Sequence, residues 1–319
     1  MIHMYWESWR DCEKMGYSLK RMGKESGSIR GIQNKPIKLL AGTLTFAGLL
    51  AAVACALRSG PIITGSDSGT ITEQSAVYEC TRADLNISSQ NANEVNLSLL
   101  DNDYTITDAG DYLFCGEYNG QICIDAEEQI VHLILKDVDI KSKVGPAISI
   151  KSAGKVIITV EQDTVNTIQD CTIYREKDKE DAAIYSCCDL TVNGSGILNV
   201  YGFYDNAIHS RDVVKILDSE LYIQAQGNGI QGNDGIWIKT EQLDIECKKS
   251  GLRSTKTGNG EKGTIEIADG RVSIIAGRYA IHSSNNLYIH DCSVWSNSVL
   301  EERNVSGDSY LMEGCIENE

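Results

Sequence analysis

The chain has 319 residues, and its 45 Asp and Glu outnumber its 29 Lys and Arg, which gives a formal charge of −16 at pH 7. Such an acidic chain argues against a nucleic-acid partner, because phosphates are bound by a positively charged face. The length suits one large core. The low content of aromatic residues (7%) and of Pro (three residues) favours stacked short strands over a sandwich with many turns.

The first 57 residues differ in composition from the rest. Residues 1–38 are polar and weakly basic, whereas residues 39–57 contain no charged side chain. At about 1.5 Å per residue this apolar run nearly spans a hydrocarbon core of roughly 30 Å, so we predict a transmembrane or signal-anchor helix over 39–57. Positive-inside bias then predicts a cytoplasmic segment 1–38 and a membrane-anchored, extracellular body. Two alternatives are a buried globular helix and a cleaved or lipidated signal, since residues 52–55 (Ala-Val-Ala-Cys) loosely resemble a lipoprotein box.

Composition divides the remaining chain into three parts. Residues 58–75 are rich in Gly, Ser and Thr, and we predict a linker there. Residues 76–298 contain the periodic pattern described below, and we predict that they form one domain. Residues 299–319 are an acidic tail, which we expect to cover the open end of that domain, because an uncovered strand edge invites further strand pairing.

The 11 cysteines have no C-x-x-C spacing, and two of them, Cys187 and Cys188, are adjacent. A structural zinc site is therefore not predicted. Several cysteines lie in or beside predicted strands, where Cys packs as a small apolar residue. Packed reduced thiols and disulfides between neighbouring repeats are both open alternatives.

A short sequence pattern returns about every 22 residues. It consists of a small residue, a branched apolar residue, any residue and a second small residue, and two apolar–x–apolar doublets follow each occurrence in step. Its apolar members are Ile184, Ile208, Ile230, Leu252 and Ile281. Alternation of apolar and polar residues is the period of a strand. Because three strands per repeat cannot bury their apolar sides alone, we predict an all-β, right-handed parallel β-helix with three strands per coil and about 22 residues per coil.

The repeats also resemble those of a known family. Residues 182–200 read AAIYSCCDLTVNGSGILNV, and NAIHSRDVVKI (206–216) and NGIQGNDGIWI (228–238) follow in the same order. In these phrases the chain resembles bacterial carbohydrate-binding β-helix proteins with a pectate-lyase-like fold, over roughly residues 103–298. The resemblance implies binding of an acidic, pectin-type or a cellulosic plant polysaccharide, with calcium, and no established catalysis.

In that family, the corner before the first strand of each coil carries stacked Asp and Asn residues that supply oxygen ligands to calcium. The matching positions that keep such residues here are Asp181, Asp205, Asn206 and Asn228. The resemblance therefore implies calcium at the earlier coils, since calcium takes six to eight oxygen ligands. In the later coils, Lys249 and Arg278 stand where the family has acidic residues. The alternative is that the corner is a turn stabilised by Asx hydrogen bonds.

Residues that point outward from the predicted strands are the candidates for contact with a sugar. The aromatic residues among them are Trp237 and Tyr288 on the second face, and Tyr222 and Trp295 on the third face. An aromatic ring on a rigid sheet binds the apolar side of a sugar ring while polar tips bind its rim. Positive charge for pairing with a uronate comes from Lys249, Arg253 and Arg278. The alternative for each aromatic residue is that it packs under a loop or under the tail.

These residues predict a cell-surface-tethered protein that binds polysaccharide without cleaving it. A lyase would need calcium to acidify the proton beside a uronate carboxylate, and a base such as Arg253 to remove that proton. The coil that contains Arg253 has lost the acidic corner that would hold the calcium, so no catalytic residue is predicted. The alternatives are a calcium-dependent uronate polysaccharide lyase and a structural surface stalk or adhesin that binds protein.

Overall fold

Apolar–x–apolar runs form strands throughout the part of the chain that the computed structural model describes, residues 78–175, 179–258 and 260–311. Within these residues, the helical element is the 3-10 turn Leu97–Leu99. The strands in chain order are β1 (Asn93–Asn96), β2 (Tyr104–Ile106), β3 (Gly110–Tyr118), β4 (Ile122–Asp125), β5 (Ile130–Lys141), β6 (Ile148–Ser152), β7 (Lys155–Val160), β8 (Val165–Gln169), β9 (Ala182–Ser186), β10 (Leu190–Gly194), β11 (Ile197–Gly202), β12 (Asn206–Ser210), β13 (Val213–Leu217), β14 (Glu220–Ala225), β15 (Ile230–Gly232), β16 (Gly235–Cys247), β17 (Leu252–Arg253), β18 (Thr264–Ala276), β19 (Tyr279–Ser283), β20 (Leu287–Ile289), β21 (Cys292–Ser298), β22 (Glu301–Val305) and β23 (Ser309–Leu311).

The described strands form two parallel sheets. The smaller sheet contains nine strands in the order β2-β4-β6-β9-β12-β15-β17-β19-β22, and the larger contains the other fourteen. Within the larger sheet, β5 pairs with both β7 and β8, and β16 pairs with both β13 and β14. Eight strands are thereby joined in a closed circuit of parallel pairs, namely β13, β10, β7, β5, β8, β11, β14 and β16.

The prediction of a three-faced right-handed parallel β-helix is therefore wrong. Strand β16 continues from Gly235 to Cys247, so the predicted second and third strands are one strand in this repeat. The predicted corner between them is a shift of register inside β16, between Ile238 and Gln242. The linking residues 239–242 (Lys-Thr-Glu-Gln) contain no Gly or Pro that would break the strand. The described part of the chain is all-β as predicted, but its strands form two sheets rather than three faces.

The prediction of a membrane anchor is not supported. The predicted transmembrane helix, residues 39–57, lies outside the described residues, as do the predicted cytoplasmic segment 1–38 and the linker 58–75. Among the residues that the structure does describe, no helix has the length and apolar character needed to cross a membrane. The described residues therefore give no support to the predicted membrane-anchored location with a cytoplasmic N-terminus and an extracellular body.

The register predicted from the 22-residue period is confirmed. Ile208 pairs with Ile184 on one side and with Ile230 on the other, and Ile230 pairs with Leu252. The next pairing joins Leu252 to Ile281. All five side chains are buried in one continuous apolar core. Each repeat therefore covers the apolar side of the next, which no single repeat can do alone.

Residues 78–88, called here the N-terminal strap, contact the outer side of the larger sheet. Asp84 in this strap is fully buried. Its carboxylate accepts hydrogen bonds from Lys155 Nζ (2.9 Å), Lys215 Nζ (3.1 Å) and Thr191 Oγ1 (2.6 Å). These donors belong to β7, β13 and β10, so the strap covers outward residues of three neighbouring strands. This surface of the larger sheet is thus not open to a ligand.

Candidate functional site

Outward residues of the smaller sheet form one row across its strands. The row contains Tyr185 (β9), His209 (β12), Gln231 (β15), Arg253 (β17) and His282 (β19), each in register with the next. We call these five residues the polar row. Neighbouring strands lie about 4.8 Å apart, so the row spans roughly 19 Å. Tyr185, His209 and Gln231 are only 6–8% exposed, whereas Arg253 and His282 are half-buried. The part of the row that a ligand can contact is therefore the end that holds Arg253 and His282.

Hydrogen bonds fix the centre of the polar row. Gln231 Oε1 accepts from Asn228 Nδ2 (3.1 Å) and from Arg253 Nη1 (3.4 Å), which turns the amide nitrogen of Gln231 toward His209. That nitrogen donates to Nε2 of His209 at 3.0 Å. Nε2 is then the acceptor, so Nδ1 carries the proton and donates to Asp181 Oδ1 at 2.5 Å. Because both ring nitrogens are engaged, His209 has no lone pair with which to remove a proton from a bound sugar.

The corner before these strands forms a second column, which we call the corner column. It contains Asp205, Gly227, Lys249 and Arg278, and each backbone N–H donates to the carbonyl of the preceding member at 2.5, 2.9 and 2.9 Å. Asp205 Oδ1 lies 2.7 Å from Lys249 Nζ, two repeats away. Gly227 permits this contact, because a Cβ at that position would lie 1.8 Å from Asp205 Oδ1. An ammonium group of the protein therefore lies at the corner where the family resemblance implied calcium.

The four residues predicted to bind calcium do not fit that ion. Asn206 Oδ1 accepts from the backbone N–H and from Nδ2 of Asn228, at 2.9 and 2.8 Å. Asn228 Oδ1 accepts in turn from the N–H of Ser250 at 3.1 Å. The carboxylates of Asp181 and Asp205 are bound to the nitrogens described above. Calcium needs six to eight oxygen ligands, and in the described ranges no group of three or more acidic, His or Cys side chains is placed to hold a metal ion.

Positive charge is concentrated at the C-terminal end of the polar row. The pKa of His282 is lowered, first by burial and then by the guanidinium groups of Arg253 and Arg278. The two cations therefore create a positive potential at this imidazole. Arg278 also lies over the ring of Tyr279, 5.6 Å from its centre. Lys249, which precedes Arg278 in the corner column, is paired with Asp205, so Arg253 and Arg278 supply the positive charge at this end of the row.

The aromatic residues predicted as a sugar platform lie on the larger sheet, apart from the polar row. Trp237 and Tyr288 are 7% and 5% exposed, so the expectation that both rings face solvent is wrong. Trp237 is in register with Lys215, whose amino group donates to the carbonyl of Glu79 in the N-terminal strap. Tyr288 is stacked on Tyr310 with ring centres 4.9 Å apart. The alternative reading, that these residues pack under another segment, agrees with the structure.

Tyr222 and Trp295 lie in a different row of the larger sheet and are half-buried. Tyr222 is in register with Asp244, which is followed by Ser273 and then by Trp295. Three strand spacings therefore separate the two rings, so one sugar unit does not contact both of them. A role for either residue in sugar binding remains a prediction.

Two aromatic residues beside the polar row were not predicted. The rings of Tyr174 and Tyr204 are stacked, and Tyr204 directly precedes Asp205 of the corner column. Sequence analysis considered outward positions within strands, whereas Tyr204 lies in the loop between β11 and β12. The available signal was an aromatic residue immediately before the corner.

A polar cleft with a volume of about 370 Å³ lies at the N-terminal end of the smaller sheet. Its charged lining consists of Lys143, Lys151, Arg175, Asp101, Asp103 and Glu180. Lys151 lies on β6, whose outward residue Ser149 is in register with Tyr185 of the polar row. The cleft therefore continues the polar row, but its equal numbers of acidic and basic groups give it no excess charge.

Known proteins resemble this chain in sequence and in structure. Residues 100–309 match the family described as “Carbohydrate-binding domain-containing protein”. A protein of Acetivibrio thermocellus with the same description is 31% identical over 233 residues, which cover 71% of this chain and 82% of that relative. A solved structure, described as the polysaccharide lyase-like protein from C. thermocellum in a gadolinium derivative, superposes with a TM-score of 0.66 at 30% identity and covers 70% of this chain and 92% of that chain. The matched family region includes the whole polar row and the corner column.

Proposed function

The chain belongs to the family of carbohydrate-binding domain-containing proteins, and on that premise we propose that it binds an acidic, pectin-type polysaccharide at the positive end of the polar row without cleaving it. The observation that carries the proposal is the positive end of the row. There Arg253 and Arg278 act together on His282, and Lys249 lies in the adjoining corner column. A uronate chain carries a carboxylate on each acidic sugar, and guanidinium and ammonium groups pair with carboxylates.

Local and overall charge act in opposite directions on such a ligand. The formal charge of −16 repels an acidic polymer at long range. At the surface, the cations of the corner column and of Arg253 offset this repulsion where the polymer makes contact. Both effects act between solvent-exposed charges, which salt screens within a Debye length of about 8–10 Å. We expect the local ion pairs to outweigh the long-range repulsion. Because salt screens these ion pairs, added salt is then expected to weaken binding.

Binding without cleavage follows from the groups that the row presents. His209 has both ring nitrogens in hydrogen bonds, to Asp181 and to Gln231. The Lys249 amino group donates to the Asp205 carboxylate. Neither group is placed as a free base, so we expect neither His209 nor Lys249 to remove a proton from a bound uronate.

Uronate elimination is the second candidate function, because one residue favours it. Burial and the guanidinium groups of Arg253 and Arg278 lower the pKa of His282, so its imidazole is neutral near pH 7. In an elimination, this imidazole would take the proton beside the uronate carboxylate, and the glycosidic oxygen would leave with the bonding electrons and take a proton from water. We place elimination second because the matched family is described by binding and not by a reaction.

Affinity electrophoresis of the 319-residue protein in polygalacturonate gels tests the proposal. The test variant carries Lys249→Glu with Arg278→Glu. Its matched control carries Lys239→Glu with Arg271→Glu, which changes two exposed residues of the larger sheet and gives the same net charge. We expect the gel to retard the parent and the control, and to release most of the test variant. Equal retardation of the two variants would refute the polar row and its corner column as the binding surface.

Two further readouts separate the alternative functions. A surface stalk or adhesin would pass unretarded through polygalacturonate and through a neutral β-glucan. A lyase would release unsaturated uronides from polygalacturonate, seen as a rise in ultraviolet absorbance that His282→Gln abolishes. Retardation of the parent without any rise in absorbance is the result we expect.

A further inference from the structure

The loop before β12 presents an aromatic pair next to the corner column. The rings of Tyr174 and Tyr204 have centres 4.0 Å apart and planes 15° apart. Tyr204 is 46% exposed, so Tyr174 covers one side of its ring while the other side is accessible to solvent. A tyrosine ring backed by a second ring is a flat apolar surface with little freedom to rotate.

A buried carboxyl group holds this pair in position. Asp170 Oδ1 accepts from the backbone N–H of Phe203 at 2.5 Å, and Oδ2 accepts from the hydroxyl of Tyr174 at 2.8 Å. Burial raises the pKa of Asp170 to about 6, although these hydrogen bonds lower it. Burying a carboxyl group costs free energy unless hydrogen bonds compensate, and those of Asp170 reach Tyr174 of the stack and Phe203, the residue directly before Tyr204. The exposed ring of Tyr204 is therefore oriented before any ligand binds.

The aromatic pair adjoins the positive charge of the corner column. Tyr204 is followed directly by Asp205, whose carboxylate lies 2.7 Å from Lys249 Nζ. A pyranose ring has an apolar side of C–H groups that packs on an aromatic ring, and polar groups around its rim. Consecutive Cα atoms lie about 3.8 Å apart, so a polysaccharide stacked on Tyr204 passes close to the ion pair of Asp205 and Lys249.

We propose that Tyr204 is a stacking subsite for one pyranose unit, and that a carboxylate on that unit pairs with Lys249. This inference rests on the proposed function, because the same polymer occupies the positive end of the polar row and the subsite. Stacking acts on neutral and acidic sugars alike, whereas the ammonium group acts on uronates. The two residues thus divide the recognition: Tyr204 holds the sugar ring, and Lys249 selects the acidic one.

Four variants in polygalacturonate and neutral β-glucan gels test the subsite. Tyr204→Ala and Tyr204→Leu remove the ring, Tyr204→Phe keeps it, and Tyr310→Ala is the matched control. Tyr310 is also a stacked tyrosine, 42% exposed, but it lies on the larger sheet. We expect the two ring-removing variants to lose about two- to tenfold in affinity for both polymers. Tyr204→Phe and Tyr310→Ala are expected to stay within twofold of the parent.

The outcomes separate this inference from the proposed function. If neither gel retards the parent, the proposed function fails. If the parent is retarded and Tyr204→Leu is retarded equally, the proposed function stands and the subsite is refuted. Tyr204→Leu keeps apolar packing against Tyr174, so it gives a result even if circular dichroism shows that Tyr204→Ala does not fold. A loss of affinity in Tyr310→Ala as large as in Tyr204→Leu would also refute the subsite.

Discussion

Replacement of Asp84 by Ala tests whether the N-terminal strap is part of the folded core. The Asp84 carboxylate is fully buried and binds the ammonium groups of Lys155 and Lys215, whose side chains are 12% and 9% exposed. Removing one partner of a buried ion pair typically costs about 3–5 kcal/mol, because the other charge stays buried without compensation. Lys215 keeps a hydrogen bond to the carbonyl of Glu79 at 2.6 Å. We therefore expect a loss of about 3 kcal/mol in the free energy of unfolding, at the lower end of that range.

Urea unfolding of the 319-residue protein, followed by far-ultraviolet circular dichroism, measures this loss from the shift in midpoint and the slope. The matched control is Lys136→Ala, which breaks an ion pair with Glu161 whose side chains are 50% and 27% exposed. Exposed pairs contribute about 1 kcal/mol or less, so the control is expected to lose no more than that. If Asp84→Ala lost as little as Lys136→Ala, the strap would not be part of the core.

Acid gives a second signature of the same carboxylate. Burial raises the pKa of Asp84, but hydrogen bonds from Thr191, Lys155 and Thr81 outweigh burial and hold the pKa well below its usual value of 3.8. A lowered pKa means that the stabilisation is complete above about pH 4 and is lost as the pH falls through the folded-state pKa. The difference in stability between the parent and Asp84→Ala is therefore expected to shrink as the pH falls below about 4.

Three further changes probe the corner and the loop beside it. Burial raises the pKa of Asp170 to about 6, so its contribution to the free energy of unfolding is complete below about pH 4 and is lost as the pH rises through 6. We expect Asp170→Asn to remove this loss of stability between pH 4 and 6. A variant with the same pH dependence of stability as the parent would contradict the raised pKa. Gly227→Ala places a Cβ 1.8 Å from Asp205 Oδ1, so urea unfolding is expected to show a loss of about 1–3 kcal/mol, and parental stability would disprove the contact. Because the corner residues do not fit calcium, a chelator is expected to leave retardation by polygalacturonate unchanged, and a loss of retardation would restore a calcium site.

The sequence predicts the pairing of repeats because each apolar residue of the repeated pattern is also a core residue. Ile208, Ile230 and Leu252 are spaced by one repeat and pair strand to strand, with all three side chains buried. A shift of one residue would expose them, so burial fixes the register. The same pattern does not distinguish a corner from a bulge, since both place an apolar doublet on each side of a few polar residues. Because a corner was predicted where β16 has only a shift of register, the sequence predicted three faces and the structure has two sheets.

Contacts between distant segments could not be predicted from a local pattern. Asp84 and Lys215 are separated by 131 positions. The N-terminal strap, which contains Asp84, covers outward residues whose apolar–polar alternation in the sequence is that of a solvent-exposed strand face. The burial of Trp237 in the same row could therefore not be read from its own neighbours in sequence. At the corner, the positive residues Lys249 and Arg278 were predicted. The contact of Lys249 with Asp205 was not predicted. It is possible because Gly227, which lies in the repeat between them, has no side chain.

The most direct test of polysaccharide binding without cleavage is a calorimetric titration of oligogalacturonate into the 319-residue protein. It is carried out at low and at raised salt, with ultraviolet absorbance recorded on the same samples. We expect saturable binding that weakens at raised salt, is reduced by Lys249→Glu with Arg278→Glu, and is accompanied by constant absorbance. The absence of saturable binding, or a steady rise in absorbance from unsaturated uronides, would contradict the proposed function.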